Sequence, residues 1–150
     1  MDLSAGRRFL LERIRRGLGG PLSATSVEQL LADARDRIDR ISPQELGTWR
    51  ASGALLVDIR PERQRAEEGE FDHAIVVERN VLEWRFDLRG DHALADIDGY
   101  GQPLVVACSE GYASSFAAAS LRALGFTRVA DLDGGYWAWR AWREARLSQT

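Results

Sequence analysis

The chain has 150 residues, of which 45% are hydrophobic and 29% charged, as expected for one globular domain with a buried core. Its formal net charge of −3 provides no broad basic surface for nucleic acid, and no apolar run approaches the roughly 20 residues that span a bilayer. We see no signal peptide and expect a cytoplasmic protein. The single cysteine, Cys108, excludes an internal disulfide and a multi-cysteine zinc site. His73 and His92 lack metal-ligand spacing, so no metal site is expected.

Two helices are predicted in the first 40 residues. The first runs from Leu3 to Leu18 and has a short apolar stripe. Five arginines make this helix basic: Arg7, Arg8, Arg13, Arg15 and Arg16. The second begins at Thr25 or Ser26, and its apolar residues recur every three or four positions as far as Ile41, which is typical of an amphipathic helix. We therefore expect residues 1–40 to form an N-terminal helical extension.

Short apolar runs alternate with predicted helices through residues 41–146, which we expect to form the main domain. A helix begins at Ser42, which can cap it, with Pro43 at its first position. The runs that we predict as buried strands are residues 54–57, 74–77, 104–107 and 129–132. Further helices are predicted at residues 63–68, at residues 114–124 and after Gly134-Gly135. This alternation predicts an α/β fold with a mostly parallel sheet.

The only cysteine lies where the third predicted strand passes into a loop and then a helix. Ligands of open parallel sheets gather beyond the carboxyl ends of strands, and Cys108 lies at such an end. The N–H groups of a tight loop and of the next helix form an anion site that favours a thiolate. Gly111 supplies the backbone freedom that this loop requires, and Ser114 can cap the helix. Position alone leaves open that Cys108 is a small buried apolar side chain.

Four segments, in order along the chain, resemble the motifs of a rhodanese domain, the sulfurtransferase fold. They are Leu56-Val57-Asp58-Ile59-Arg60, Glu67-Glu68-Gly69 with Ala74-Ile75-Val76, the loop from Val105 to Ser114, and Gly125-Phe126 with Asp133 to Trp139. No single segment is specific, but together they extend from about Ile41 to Trp142. The resemblance implies a three-layer α/β fold around a mostly parallel sheet of roughly five strands.

The resemblance also implies a reaction. The loop cysteine, here Cys108, accepts a sulfane sulfur from a donor such as thiosulfate, becomes a persulfide and passes the sulfur to cyanide or a thiol. The loop residues expected to bind the donor and the sulfur are Ser109, Glu110, Gly111, Tyr112, Ala113 and Ser114. No metal or organic cofactor is implied, and a partner protein is an alternative source or recipient of the sulfur. Because the chain has no second cysteine, an external acceptor must discharge the persulfide.

Two residues are expected to support the site from the end of the first predicted strand of the domain. Asp58 is predicted either to anchor the cysteine loop or to cap a turn. By resemblance, Arg60 pairs with Glu67 or Glu68 and holds the ends of the sheet together.

The loop lacks the cations that active members of the family often carry just after the cysteine and before the serine. Ser109 and Ala113 occupy those positions, and the charge of Glu110 opposes thiolate formation and repels an anionic donor. Arg79 and Arg85, which follow the second predicted strand, are the candidates to supply a cation to the pocket. The loop also has no arginine to chelate phosphate, as the phosphatases that share this fold require.

Two other functions stay open on the sequence alone. The missing loop cations are compatible with a non-catalytic rhodanese-like module that uses Cys108 for binding or redox sensing. The basic N-terminal helix is compatible with an interaction protein that docks a partner or an anionic surface.

Overall fold

The computed structural model describes residues 3–16 and 24–149. Within these residues the helices are α1 (Leu3–Arg15), α2 (Val27–Arg35), α3 (Pro43–Ala51), α4 (Glu62–Glu68), α5 (Leu82–Phe86), α6 (Ala113–Leu124) and α7 (Gly135–Leu147). The strands are β1 (Asp39–Ile41), β2 (Leu55–Asp58), β3 (Ile75–Val76), β4 (Leu104–Ala107) and β5 (Val129–Leu132), and a 3-10 turn, Arg79–Val81, precedes α5. None of these helices has both the length and the apolar character that crossing a membrane requires.

The five strands form one sheet in the order β1-β5-β4-β2-β3, and every pairing is parallel. β4 is the central strand, with Val106 opposite Val57 of β2 on one side and Asp131 of β5 on the other. Because all the strands run in the same direction, their carboxyl ends meet at one edge of the sheet. That edge is where ligands of such folds bind, and Cys108 directly follows β4 there. The predicted α/β fold is confirmed.

Two apolar clusters cover the two faces of the sheet and give the domain three layers. Val106 belongs to the cluster that contains Leu121 of α6. Its neighbour Val105 points to the other face and belongs to the cluster that contains Leu46 of α3 and Trp139 of α7. Burial of the central strands on both faces explains why they appear in the sequence as unbroken apolar runs.

The predicted strands of the main domain are found with small shifts. The runs at residues 104–107 and 129–132 are β4 and β5, as predicted. β2 lies one residue later than predicted and therefore includes Asp58. β3 retains only Ile75 and Val76 of the four residues predicted, because it pairs with β2 alone at the edge of the sheet.

Both helices predicted near the N-terminus are found, and α2 is shorter than predicted. α1 is Leu3–Arg15, and its predicted end at Leu18 lies outside the described residues. α2 follows Ser26, whose Oγ accepts the N–H of Gln29 at 3.1 Å, as an N-cap does. α2 ends at Arg35 and does not continue to residue 41.

Residues 39–41, predicted as the end of a helix, form the edge strand β1. Ile41 pairs with Leu132 of β5 and is buried, so tertiary pairing outweighs the helical periodicity that extends through this segment. The sheet thus begins inside the segment assigned to the extension. The described residues fall into two compact units that divide between Leu30 and Leu31. An extension that covers all of residues 1–40 stays a prediction.

The first turn of α7 holds the beginning of the cysteine loop. The N–H of Tyr136 donates to the carbonyl of Cys108 at 2.8 Å, and the N–H of Trp137 donates to the carbonyl of Ser109 at 3.2 Å. The first N–H groups of a helix have no partner within it, so the loop carbonyls satisfy them. This approach requires Gly135, which has a φ of +60° and whose Cβ, if it had one, would lie 2.5 Å from the Cys108 carbonyl oxygen.

Gly135→Ala is expected to lower the free energy of unfolding by about 1–3 kcal/mol, because the added methyl group collides with backbone atoms. Gly47→Ala in α3 is the matched control, since an added Cβ there has no neighbouring atom within 4 Å. The control should gain about 0.5–1 kcal/mol from the helix preference of alanine. Urea unfolding followed by circular dichroism measures both changes. Equal effects of the two substitutions would contradict this account of how α7 begins.

Candidate active site

The sulfur of Cys108 faces backbone N–H groups of the loop that follows β4. The N–H groups of Gly111 and Ser114 donate to Sγ, with N···S distances of 3.2 and 3.4 Å. Cys108 is 8% exposed and lines a cavity. Convergent backbone donors form a concavity that binds anions, so this loop can hold a negatively charged sulfur. A purely apolar role for Cys108 does not account for the two donors.

The tip of the loop lies tightly against the turn between β5 and α7. Gly111 has a φ of +87°, and a Cβ at this position would lie 2.8 Å from the backbone nitrogen of Gly134 and 3.2 Å from the carbonyl oxygen of Leu132. Both the backbone conformation and the close contact therefore require glycine. These constraints direct the Gly111 N–H at the sulfur.

A buried carboxylate in β5, Asp131, fixes the first turn of α6 from beneath the loop. Its Oδ2 accepts the hydroxyls of Ser115 at 2.7 Å and Ser114 at 3.0 Å. Its Oδ1 accepts Nε of Arg40 at 2.9 Å. The prediction that Ser114 caps the helix is wrong, because α6 begins at Ala113 and the Ser114 hydroxyl donates to the buried acid. Ser114 contributes its backbone N–H to the sulfur instead.

Two arginines that the sequence did not point to converge on the carbonyl of Gly111. Arg35 donates through Nη2 at 3.0 Å, and Arg40 donates through Nη2 at 2.9 Å. Burial by itself lowers the pKa of the Arg40 guanidinium. The hydrogen bonds and the negative charge of Asp131, with a further contribution from Asp133, outweigh burial and raise this pKa. Arg40 is therefore a permanent cation beside the loop.

The cavity in front of Cys108 has a volume of about 360 Å³. Its lining residues are Gln64, Glu68, Cys108, Ser109, Glu110, Tyr112 and Ala113. This set contains two acids and no arginine. Glu68 accepts the hydroxyl of Ser109 at 2.6 Å and Nη1 of Arg60 at 3.3 Å. Glu110 is exposed and pairs with no cation among the residues that the structure describes, so its charge is uncompensated at the cavity mouth.

Asp58 and Arg60 form a fully buried ion pair at the end of β2. Nη2 of Arg60 lies 2.7 Å from Oδ2 of Asp58, and the guanidinium stacks 4.4 Å from the centre of the Tyr136 ring. Burial by itself lowers the pKa of the Arg60 guanidinium. The hydrogen bonds and the negative charge of Asp58, with a further contribution from Glu68, outweigh burial and raise this pKa. This pair ties the end of β2 to α4 and α7.

The ion pair supports the cysteine loop indirectly. Of the two partners predicted for Arg60, Glu68 is in contact, whereas Glu67 pairs with Arg63. Among the residues that the structure describes, the hydrogen bonds of the Asp58 carboxylate all come from Arg60. Asp58 reaches the loop through Arg60 and Glu68, which accepts the Ser109 hydroxyl. The sequence predicts Glu68 only as a partner of Arg60 and assigns no role to Gln64, so both were missed as lining residues of the cavity.

The structure does not bring Arg79 and Arg85 to the cavity. Arg79 pairs with Glu83, and Arg85 donates through Nη1 to the carbonyl of His92 at 2.8 Å. The cations near the loop are Arg35, at the end of α2, and Arg40, in β1 at the opposite edge of the sheet from β3. Within residues 3–16 and 24–149, no three His, Cys, Asp or Glu side chains are grouped so as to hold a metal ion.

Comparison with known proteins places this geometry in a family. The model of the Rhodanese-like domain matches residues 42–141. Thiosulfate sulfurtransferase GlpE of Ectopseudomonas mendocina (strain ymp) is 37% identical over 102 residues, which are 68% of this chain and 84% of the relative. The protein of the same name from Pseudomonas fluorescens (strain SBW25) is 36% identical over 110 residues, which are 73% of this chain and 91% of the relative.

Solved structures show the same resemblance. A protein of unknown function from Rhodopseudomonas palustris CGA009, described as a possible tyrosine phosphatase, is similar with a TM-score of 0.72 and 26% identity, covering 83% of this chain and 97% of that one. The human single-domain sulfurtransferase TSTD1 is similar with a TM-score of 0.58 and 25% identity, covering 68% of this chain and 95% of that one. From the family match and these relatives, the chain belongs to the rhodanese-like domain family.

Proposed function

We propose that this chain is a sulfurtransferase that carries a sulfane sulfur as a persulfide on Cys108. The observation that carries the proposal is the pair of N–H groups, from Gly111 and Ser114, that face Sγ. Such donors stabilise the thiolate before the reaction and a negatively charged outer sulfur after it. The relatives named thiosulfate sulfurtransferase support the same class of reaction.

Two displacements complete the transfer. In the first, the Cys108 thiolate attacks the sulfane sulfur of the donor, a new S–S bond forms, and the donor's own bond to that sulfur breaks with its electron pair leaving on the donor. In the second, a thiolate or cyanide attacks the outer sulfur, and the Cys108 thiolate leaves. The cycle consumes no oxidant or reductant, and neither displacement requires a metal or an organic cofactor.

The acceptor has to come from outside the chain. Cys108 is the only cysteine, so no second thiol of the same chain can displace the sulfur. A small thiol, cyanide or a cysteine of a partner protein can each serve as the acceptor. The open cavity gives such an acceptor access to the sulfur.

The charge of the cavity favours a donor that is neutral or carries a positive group. Thiosulfate is a dianion, and its approach to Cys108 passes Glu110 with no arginine among the lining residues. Repulsion by the carboxylate weakens the binding of such a donor. A persulfide on a cationic small molecule, or on a partner protein, meets no such penalty. Thiosulfate is therefore expected to be a usable but poor donor.

Two other activities fit the residues less well. Phosphoryl transfer, suggested by the description of the Rhodopseudomonas palustris protein, needs an arginine in the loop to chelate phosphate, and residues 108–114 contain none. A binding or sensing module without turnover would share the same fold. Turnover of sulfur at Cys108 separates that module from an enzyme.

Incubation with a sulfane donor is expected to add the mass of one sulfur atom to the protein, and Cys108→Ser should gain none. Intact-protein mass spectrometry with thiosulfate and with cysteamine persulfide measures the addition. Later treatment with cyanide or a thiol should remove the added mass and release thiocyanate or a new persulfide. If neither donor loads the wild-type protein, the sulfurtransferase proposal is wrong.

Glu110→Gln is expected to raise kcat/KM for thiosulfate about threefold to tenfold, because one unit charge near the cavity mouth contributes about 1 kcal/mol in water. The ratio should shrink at high salt, which screens exposed charges. Glu67→Gln is the matched control, since Glu67 is exposed and pairs with Arg63 away from the cavity lining. With cysteamine persulfide, whose ammonium group offsets the sulfur charge, Glu110→Gln should bring no gain. An equal gain with both donors would contradict the electrostatic explanation.

A further inference from the structure

Two guanidinium groups bind one carbonyl of the cysteine loop, and neither belongs to the family-matched segment. Arg35 and Arg40 both donate to the Gly111 carbonyl, whereas the Rhodanese-like domain match begins at residue 42. Arg35 also donates to Ser115 Oγ at 3.0 Å and lies 5.6 Å from the centre of the Tyr112 ring. The end of α2 and the strand β1 therefore contact the loop through the hydrogen bonds of these two arginines.

The contacted carbonyl belongs to the residue whose N–H faces the sulfur. The carbonyl of Gly111 accepts from Arg35 and Arg40, and the N–H of Gly111 donates to Cys108 Sγ at 3.2 Å. Gly111 has a φ of +87° and, as a glycine, has more backbone freedom than any other residue. The two hydrogen bonds to its carbonyl restrict that freedom and keep the Gly111 N–H directed at the sulfur.

The two arginines also bring positive charge to a loop that has none of its own. Residues 108–114 contain no arginine, lysine or histidine. Arg40 is balanced by Asp131 and Asp133. Arg35, by contrast, reaches the loop through a carbonyl, a hydroxyl and an aromatic ring, which leave its charge available to polarise the loop.

We infer that Arg35 and Arg40 are positioning residues for sulfur transfer: they hold Gly111 by its carbonyl so that the Gly111 N–H faces the sulfur on Cys108. This inference rests on the proposed sulfurtransferase function. Neither arginine lines the cavity, so both act through the loop and not on the donor. The segment ahead of the family domain is thereby part of the active site.

Arg35 is the residue to test, because removal of Arg40 would leave the buried carboxylate of Asp131 without its cation. Arg35→Met should slow single-turnover loading of Cys108 from cysteamine persulfide by roughly tenfold to a hundredfold, as expected when a reacting group loses its alignment. The donor concentration for half-maximal loading should stay close to the wild-type value. Arg35→Lys should recover part of the rate, since lysine supplies the charge but not the forked geometry.

The control variant is Arg37→Met, which removes an exposed arginine from the turn after α2. Its loading rate should equal that of the wild type, and all variants should keep the wild-type melting temperature within a few degrees. Loss of rate in Arg35→Met with an unchanged melting temperature and partial recovery in Arg35→Lys supports the inference. A wild-type loading rate in Arg35→Met overturns it.

Alkylation of Cys108 by iodoacetamide separates this inference from the proposed function. The reaction depends on the loop amides but needs no sulfur donor. If the wild type loads no sulfur from any donor, the proposed function fails, and the alkylation rates still decide the positioning role. Slower alkylation in Arg35→Met than in Arg37→Met supports that role, whereas equal rates overturn it.

Discussion

The buried carboxylate of Asp131 is the interaction on which the cysteine loop depends. Removal of a carboxylate from water is costly unless hydrogen bonds and an opposite charge compensate it. Asp131 gains that compensation from Ser114, Ser115 and Arg40, and together these contacts fix two parts of the site. The serines hold the first turn of α6, whose amide reaches the sulfur, and Arg40 holds the carbonyl of Gly111.

A second buried acid–arginine pair supports the opposite end of the loop. Asp58 and Arg60 at the end of β2 fix Glu68, and Glu68 accepts the hydroxyl of Ser109. The loop is thus held at its start by the pair from β2 and at its tip by the pair from β1 and β5. Both pairs lie near the carboxyl ends of strands in one parallel sheet. Because these strand ends meet at the same edge, each pair supports a different part of the same loop. Rigid support of this kind keeps backbone amides directed at the sulfur without any cation inside the cavity.

The sequence carried enough information for the fold and for the cysteine, because buried strands, a following glycine loop and ordered motifs each leave a local pattern. The cations were missed for a physical reason. Ile38 and Ile41 have a spacing that fits a helix as well as a short edge strand, and only pairing with β5 selects the strand. Once β1 is a strand, Arg40 lies opposite Asp131, a contact between residues 91 positions apart that no local pattern reveals. The same limit applies to Ser114, since its buried acceptor is distant in sequence.

The central claim is that the loop amides bind the sulfur that Cys108 carries. Two-dimensional ¹⁵N–¹H NMR spectra of the reduced and the sulfur-loaded protein test this claim most directly. The account predicts that the N–H resonances of Gly111 and Ser114 show the largest shifts on loading and that their exchange with solvent slows. Loading of Cys108, verified by mass, that leaves these two resonances unchanged would contradict it.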